Sequence, residues 1–575
     1  MKTIHCTPIS PGIAIGQVQR LLQEKIPVPE YSVSNTKREK KRLEISFQQA
    51  KEKIKSLIQH ALKNELKEEE EILKAFAGIL EDPELLELAV SLINTENTNA
   101  EFCIYKAAEH YAVIIEAVED EYIKARAKDV REVALLLIET LSDGKAKVKI
   151  KLKTPVFIVA PTITVNELVK LDKKLILGLV TEQNGHNDHT AILARSYGIP
   201  FISGLHNLME LIQPNDTLIV DGNKGKVIVR PTKIYCKNYG LLKDEWEQFN
   251  REAFGNSALD AYTRDGKRIK VYANVSDMES VDCAIKNGAE GIGLLRSEFL
   301  FLNRAILPDE DEQTQFYSAV SHLCNNIELV IRTLDIGADK KHSHLNLAHE
   351  ENPALGLRGL RLCFQQEEDL FKPQIKAILR AAKGRKIRLM LPMVTTVEEV
   401  IKFKALIKTC RKELNREGKL YAIRIQIGIM IEVPAAAILA DVLAAEADFF
   451  SIGTNDLTQY TLAADRCNTA VAYLNQGLHP SVLQLAKQSI EAAHKKSKQV
   501  AVCGELAADP KSIPIFIGLG VDELSVNPSA IPIVKEIIRN INYSDAKSMV
   551  REAAKQVTGS DSEALFVNLL PKILR

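Results

Sequence analysis

From about Thr263 onward the sequence repeats one pattern: a short apolar run of the kind a buried strand shows, then a stretch with helical spacing. Eight such runs occur, at Ile269–Asn274, Gly291–Arg296, Glu328–Asp335, Ile387–Met393, Gln426–Glu432, Phe449–Asn455, Gln499–Cys503 and Glu523–Val526. Eight β/α repeats in about 310 residues is the arithmetic of a (β/α)8 TIM barrel, a fold that carries its reactive groups at the C-terminal ends of the strands. Those ends present Asn274, Arg296, Arg332, Met393, Glu432, Asn455 with Asp456, Cys503 and Ser525. Arg296 and Arg332 are planar forks suited to phosphate or carboxylate oxygens, and Arg466 follows the sixth run. Glu432 and Asp456 are two hard oxygen donors, enough for a Mg²⁺ whose other positions go to substrate and water. Cys503 is the one proton donor of intermediate acidity in the set. Singly, each has a bland reading: a rim arginine is ordinarily a solvated ion pair, and a cysteine after Val500-Ala501-Val502 is ordinarily core.

The upstream part has a different character. Residues 1–20 hold a strand candidate, SPGIAIGQVQ, and from Thr36 to about Leu141 Gly and Pro almost vanish while apolar residues recur at helical spacing. Thr36 with Glu39 reads as a capping box, followed by a seam of Leu43, Phe47, Ala50, Ile54, Leu57 and Ala61. Asp82-Pro83 reads as an N-cap with Pro at the first helical position, and a further helix covers Glu119–Leu141. From Val148 the pattern is α/β, with strands Pro155–Ala160, Leu175–Val180, Leu218–Gly222 and Val227–Val229, and His189 where a polar turn meets the helix Thr190–Tyr197. The implied organisation is multidomain α/β: an α/β domain of residues 1–20 plus 144–232, a helical bundle inserted at 21–143, a linker helix at 233–260 and the barrel at 261–575.

Balanced charge, 75 basic against 75 acidic side chains, removes the electrostatic footprint of a nucleic-acid binder. No apolar run approaches the ~20 residues that span a bilayer, and Met1-Lys2-Thr3 leads into no signal-peptide core. The nine cysteines include no CxxC pair, which argues against zinc and a disulfide framework and fits a reducing cytoplasm.

The stretches GIGLLRSEFLF, IRTLDIGADK, ENPALGLRGLRL, IEVPAAA, SIGTNDLTQYTLAADR and AVCGELAAD, with SPGIAIG and EDEYIKARAKDVRE upstream, resemble the enzyme I family of the bacterial phosphotransferase system. The resemblance implies that phosphoenolpyruvate binds at the barrel mouth with Mg²⁺ on Glu432 and Asp456. It implies that Arg296, Arg332, Lys340, Asn455 and Arg466 hold the phosphoryl and carboxylate groups. It further implies that His189, on a swivelling phosphohistidine domain, takes the phosphoryl group while Cys503 protonates the enolate to pyruvate. The histidine-containing carrier HPr would dock on the helical insert, and the barrel would form a homodimer. The related dikinases and synthases need a large ATP-binding domain, which nothing before Val148 could supply.

The sequence departs from the family around the histidine. Where the family has Gly-Gly-x-Thr-Ser-His-Thr, this chain has Asn184-Gly185-His186-Asn187-Asp188-His189-Thr190, so His186 is a competing acceptor and Asp188 a carboxylate beside the nucleophile. Phe76 stands where the family carries a histidine in its partner-facing motif, and Glu68–Glu71 offers charge to a basic partner. Two functions follow: a working phosphotransferase, or a regulatory phosphoenolpyruvate-binding paralogue with weak histidine transfer.

Overall fold

The computed structural model describes residues 1–21, 28–63, 67–116, 121–141, 152–169, 171–185, 189–205, 207–301, 306–337, 350–466, 468, 470–553, 555–571 and 574. The chain forms two compact units, Met1–Glu247 and Gln248–Arg575.

The first unit holds a sheet of strands β1 (Lys2–His5), β2 (Thr7–Ser10), β3 (Ile13–Arg20), β4 (Val156–Ala160), β5 (Ile176–Thr181), β6 (Phe201–Ser203), β7 (Thr217–Asp221) and β8 (Lys226–Val229). Their order is β1-β8-β7-β3-β4-β5-β6-β2, with β3 to β6 mutually parallel and the flanking pairs antiparallel. Alternation along the strands divides the core between two faces. Phe157, Val159 and Val180 pack with Ile202, Leu218 and Val220 on one face. On the other, Ile158, Ala160 and Leu179 share a core with the helical insert.

That insert is five helices, α1 (Thr36–Lys63), α2 (Lys67–Glu81), α3 (Pro83–Glu96), α4 (Ala100–Glu116) and α5 (Glu121–Leu141). The predicted α1 seam is buried at Leu43, Phe47, Ala50, Ile54 and Ala61, and Leu57 packs against the same core. Asp82 caps α3 as expected, its Oδ1 accepting the Glu84 N–H at 2.9 Å. The capping box of α1 does not form. Asn35 caps that helix, accepting the Arg38 N–H at 3.1 Å, because the Glu39 carboxylate is buried and occupied by Arg42 and the Ala100 N–H. The stop signal at Ser142-Asp143-Gly144 and the domain boundary at 143/144 lie outside the described residues. The helix expected as a linker runs Lys233–Gly255.

In the second unit, β9 (Lys270–Val275), β10 (Gly291–Arg296), β11 (Glu328–Arg332), β12 (Ile387–Leu391), β13 (Gln426–Ile431), β14 (Phe449–Ile452), β15 (Gln499–Val502) and β16 (Glu523–Val526) close into an all-parallel barrel. β10 and β16 match their sequence spans to the residue, while β11, β12, β13, β14 and β15 stop short of their predicted ends. The sixth run departs most: Gly453 ends β14 and Thr454 starts the helix Thr454–Leu462. Leu294, Val330, Met390, Met430, Phe449 and Cys503 form an apolar cluster. Asn274 and Ser525 are structural: Ser525 Oγ donates to Asn274 Oδ1 at 2.7 Å, and Asn274 Nδ2 donates to the Cys503 and Ser525 carbonyls at 3.0 Å.

Candidate active site

Strand register brings the first two rim arginines together. Arg296 ends β10 directly opposite Arg332 at the end of β11. Arg332 is buried, its Nη2 donating to Glu298 and its Nη1 lying 3.2 Å from Asp335 Oδ2. Burial alone would lower its pKa, but the Glu298 and Asp335 carboxylates outweigh that and hold it above the usual arginine value. The Arg296 side chain makes no hydrogen bond or ion pair among the described residues. Although its side chain reaches solvent, surrounding protein and then the Arg332 charge hold its pKa below the usual arginine value. Two like charges side by side, one committed and one not, make a receptor for an incoming anion.

Across the rim, Glu432 directly follows β13 and is 1 % exposed. Its Oε1 accepts the Met393 N–H at 2.6 Å, and Met393 holds a left-handed φ of 54°. That conformation is costly for a non-glycine residue and turns its N–H onto the carboxylate. Asp456 lies in the first turn of the helix Thr454–Leu462, and its Oδ1 accepts from Arg358 Nη1 at 3.1 Å. Burial, then the charges of Asp456 and Asp335, push the Glu432 carboxyl well above the usual range. Crowded carboxylates with that electrostatic signature suit a cation.

The donor set fits a divalent metal in another respect. Glu432 Oε2 and Asp456 Oδ2 make no hydrogen bond among the described residues, while their partner oxygens are fixed. A Cβ at Gly453 would stand 2.9 Å from Glu432 Oε2, so the glycine keeps the approach to that oxygen clear. The described residues contain no cluster of three or more His, Cys, Asp or Glu groups ready to hold a metal. Any remaining ligands would come from substrate and water.

Glu298, Asp335, Arg358 and Tyr460 are the site residues that sequence reading did not assign. Arg358 is 4 % exposed and bridges the two halves of the rim, donating to both Asp335 oxygens at 3.1 and 3.2 Å, to Asp456 and to the Tyr460 hydroxyl at 3.1 Å. Burial opposes its charge, and Asp335 and Asp456 hold its pKa above the ordinary value. All four lie inside motifs quoted above. The available signal was an acid two residues after Arg296 and another three residues after Arg332, without anything to say which pairs meet in space.

Cys503 directly follows β15, buried among the apolar barrel residues with Sγ 3.7 Å from the Ile452 carbonyl. Burial pushes its thiol up to about 11, so it is a protonated acid at neutral pH. Asn455 Oδ1 accepts the Glu505 N–H at 3.1 Å. Arg466 is half-buried, its N–H donating to Gln459 Oε1 at 3.3 Å. Lys340 lies outside the described residues.

His189 belongs to the first unit, where it opens the helix His189–Ser196; its side chain, and residues His186, Asn187 and Asp188, lie outside what is described. The flanking backbone is well anchored. Asn184 Oδ1 accepts the Ile163 N–H at 3.0 Å, and Thr190 Oγ1 donates to the Ile163 carbonyl at 2.8 Å. Phe76 is 2 % exposed and shares its core with Ala191, Leu193 and Ala194 of the histidine helix. The substitution therefore contributes to packing, worth ~1.5–3 kcal/mol for a buried side chain of this class. In the acidic run, Glu70 pairs with Lys74.

Family comparison bears on the whole chain. The PEP-utilising enzyme, PEP-binding domain family matches residues 251–543; the N-terminal family of the same enzymes matches 5–126, and their mobile domain matches 152–225. The chain is similar to the phosphoenolpyruvate-protein phosphotransferase of Geobacillus stearothermophilus, 37% identical over 573 residues that cover 98% of each chain. It is also similar to the protein of that name from Haemophilus influenzae, 37% identical with 98% of each covered, and from Bacillus subtilis, 35% identical with 99% of each covered.

Proposed function

The chain belongs to the phosphoenolpyruvate-protein phosphotransferase family, and from that premise we propose that it transfers the phosphoryl group of phosphoenolpyruvate to its own His189 and then to a histidine of the carrier HPr, releasing pyruvate. The observation that carries the chemistry is Arg296, a cation without a described partner, facing a rim on which Arg332 and Arg358 are locked by carboxylates.

Phosphoryl transfer asks for positioning and charge neutralisation more than for covalent chemistry. Arg296 receives phosphoryl or carboxylate oxygens of the substrate. Arg332, whose Nε has no hydrogen-bond partner among the described residues, adds a donor from a fixed position, and Arg358 holds Asp335 and Asp456 in place, so no reorganisation is needed as charge moves. A ring nitrogen of His189 bonds to phosphorus as the bond from phosphorus to the enolate oxygen breaks. The Cys503 thiol gives its proton to the enolate carbon, completing pyruvate, and regains one from solvent. Lys340, Asn455 and Arg466 complete the set that holds the substrate.

Members of this family use a divalent metal, and Mg²⁺ on Glu432 and Asp456 would neutralise substrate oxygens during transfer. In the second half-reaction the P–N bond to His189 breaks as the carrier's histidine forms its own. One histidine that serves two partners in turn requires a domain that moves, with residues 1–20 and 144–232 as the phosphohistidine domain, 21–143 as the carrier-binding insert, 233–260 as the linker and 261–575 as the barrel. Exposed Ile401, Ile438 and Val442 on successive barrel helices support a homodimer through that face. Among the described residues no helix is long and apolar enough to cross a membrane. The regulatory-paralogue reading is not favoured, since the full-length relatives carry the enzyme's name.

The test is phosphorylation of the purified chain by labelled phosphoenolpyruvate and Mg²⁺. Alkali-stable label should appear on His189, disappear in H189A, and pass to added HPr. Label that persists in H189A and is lost in H186A would overturn the assignment.

A further inference from the structure

The barrel has a second polar recess at the opposite end from the arginine rim. A cavity of about 530 Å³ opens at the N-terminal ends of β11 to β14, lined by Lys386, Arg388, Arg411 and Arg424 against Glu328 and Asp448, with Ile387, Ile423 and Ile425 between them. The N-terminal face of such a barrel ordinarily serves stability. A network that served only stability would use its buried donors, and this one does not.

Arg388, the second residue of β12, is 7 % exposed. Its guanidinium carbon stacks 3.7 Å from the Phe449 ring centre, and its nearest carboxylate oxygen, Glu328 Oε2, is 3.6 Å from Nη1, beyond hydrogen-bond reach. Its Nε is buried with no hydrogen-bond partner among the described residues. Arg411, on the helix Val397–Arg416, has a buried Nε in the same condition, and burial lowers its pKa. Neither Arg411 nor exposed Arg424 has an ion pair among the described residues.

The two acids of the cavity are already engaged. Glu328 Oε2 accepts the Tyr272 hydroxyl, and Asp448 Oδ2 accepts the Ile427 N–H at 2.8 Å. Cationic donors are thus left over, and buried donors without acceptors are uncommon in folded proteins.

We propose that this cavity binds a small organic phosphate, its phosphoryl oxygens on Arg388 and Arg411, Arg424 at the entrance and its carbon skeleton against the isoleucines. Planar guanidinium edges match the oxygens of a phosphate, and the stacked Arg388 is pre-oriented for it. The volume exceeds what inorganic phosphate fills and lies in the usual range of small-molecule sites, ~300–1,000 Å³. Lying at the far end of the barrel from Glu432 and Asp456, the site is separate from the proposed chemistry and does not depend on it.

Calorimetric titration of the full chain with glucose 6-phosphate, in metal-free buffer, tests this. One saturable site should appear. Binding should survive in R296Q, which impairs the rim, and weaken about tenfold or more in R411Q and in R424Q, each losing a charge-assisted contact. Both substitutions are at side chains that reach the surface, and circular dichroism would verify their folding. Absence of saturable binding at millimolar ligand, loss of binding in R296Q, or unchanged binding in R411Q and R424Q would overturn the proposal. Tighter binding of citrate than of the phosphate ester would overturn the assignment of ligand class.

Discussion

Replacing Gly453 by alanine is expected to impair metal-dependent phosphorylation while leaving the barrel folded. The added Cβ would lie 2.9 Å from Glu432 Oε2, 3.0 Å from Glu432 Cβ and 3.1 Å from Met430 Sδ, where ordinary contact begins near 3.4 Å. The carboxylate must retreat by about half an ångström, and it has nowhere easy to go. It is fully enclosed, and its other oxygen is held at 2.6 Å by the Met393 N–H, itself on a backbone of unfavourable φ. Overpacking of this sort costs ~1–3 kcal/mol in stability. Misplacing a functional group by a fraction of an ångström to 1 Å costs roughly 10- to 100-fold in rate.

The assay is the initial rate of phosphoryl incorporation from phosphoenolpyruvate over a Mg²⁺ series, with thermal denaturation alongside. The variant should need more Mg²⁺, run roughly 10- to 100-fold slower and melt lower. G240A is the control: its Cβ would meet nothing within 4 Å in the helix Lys233–Gly255, so it should gain ~0.5–1 kcal/mol of helix stability and keep the wild-type metal dependence. Wild-type rates and metal dependence in G453A would refute the view that Glu432 Oε2 faces the metal.

Three further outcomes are expected. R358A should destabilise the barrel by ~3–5 kcal/mol in a denaturant titration, since it strands the buried Asp456 carboxylate and leaves Asp335 with Arg332 alone; an unchanged midpoint would contradict the bridging role. Glu523 is buried in the barrel, which raises its carboxyl from the ordinary value to about 8. Its contribution to stability is therefore complete below the unfolded pKa of ~4.3 and lost as pH rises through about 8, so melting of wild type against E523Q should converge at acid pH and diverge in favour of the variant at alkaline pH. C503S should slow transfer from phosphoenolpyruvate and proton incorporation into pyruvate by ~10²–10⁴-fold, while phosphorylated His189 still passes its group to HPr; undiminished rates would return Cys503 to a packing role.

Much of the barrel was readable because its parallel strands are covered on both faces and so appear as continuous apolar runs; Gly291–Arg296 and Glu523–Val526 were located to the residue. Overruns came where buried chain continues past the end of the strand, as from Thr333 to Asp335, or where a helix starts at once, as at Thr454. β1 and β2 were missed because they are largely exposed edge strands with no apolar run, and β6 because it is only three residues long. Of the rim, Arg332, Glu432 and Asp456 were legible from their place at strand ends. Glu298 and Arg358 were not: their role is to hold those residues, and no periodicity marks which acid and arginine, 34 or 98 positions apart, will meet. The α1 cap went to Asn35 for the same kind of reason, since Glu39 is claimed by Arg42 and Ala100 from across the bundle.

The central claim is that the phosphoryl group of phosphoenolpyruvate reaches His189 through the rim of Arg296, Arg332, Glu432 and Asp456. Its most direct test is quantitative mapping of label on the chain after reaction with labelled phosphoenolpyruvate and Mg²⁺, in wild type, R296A and E432A. Near-stoichiometric, alkali-stable label on His189 in wild type, with both variants folded and almost unlabelled, is the predicted result. Equal labelling of His189 in the two variants, or label elsewhere in wild type, would contradict it.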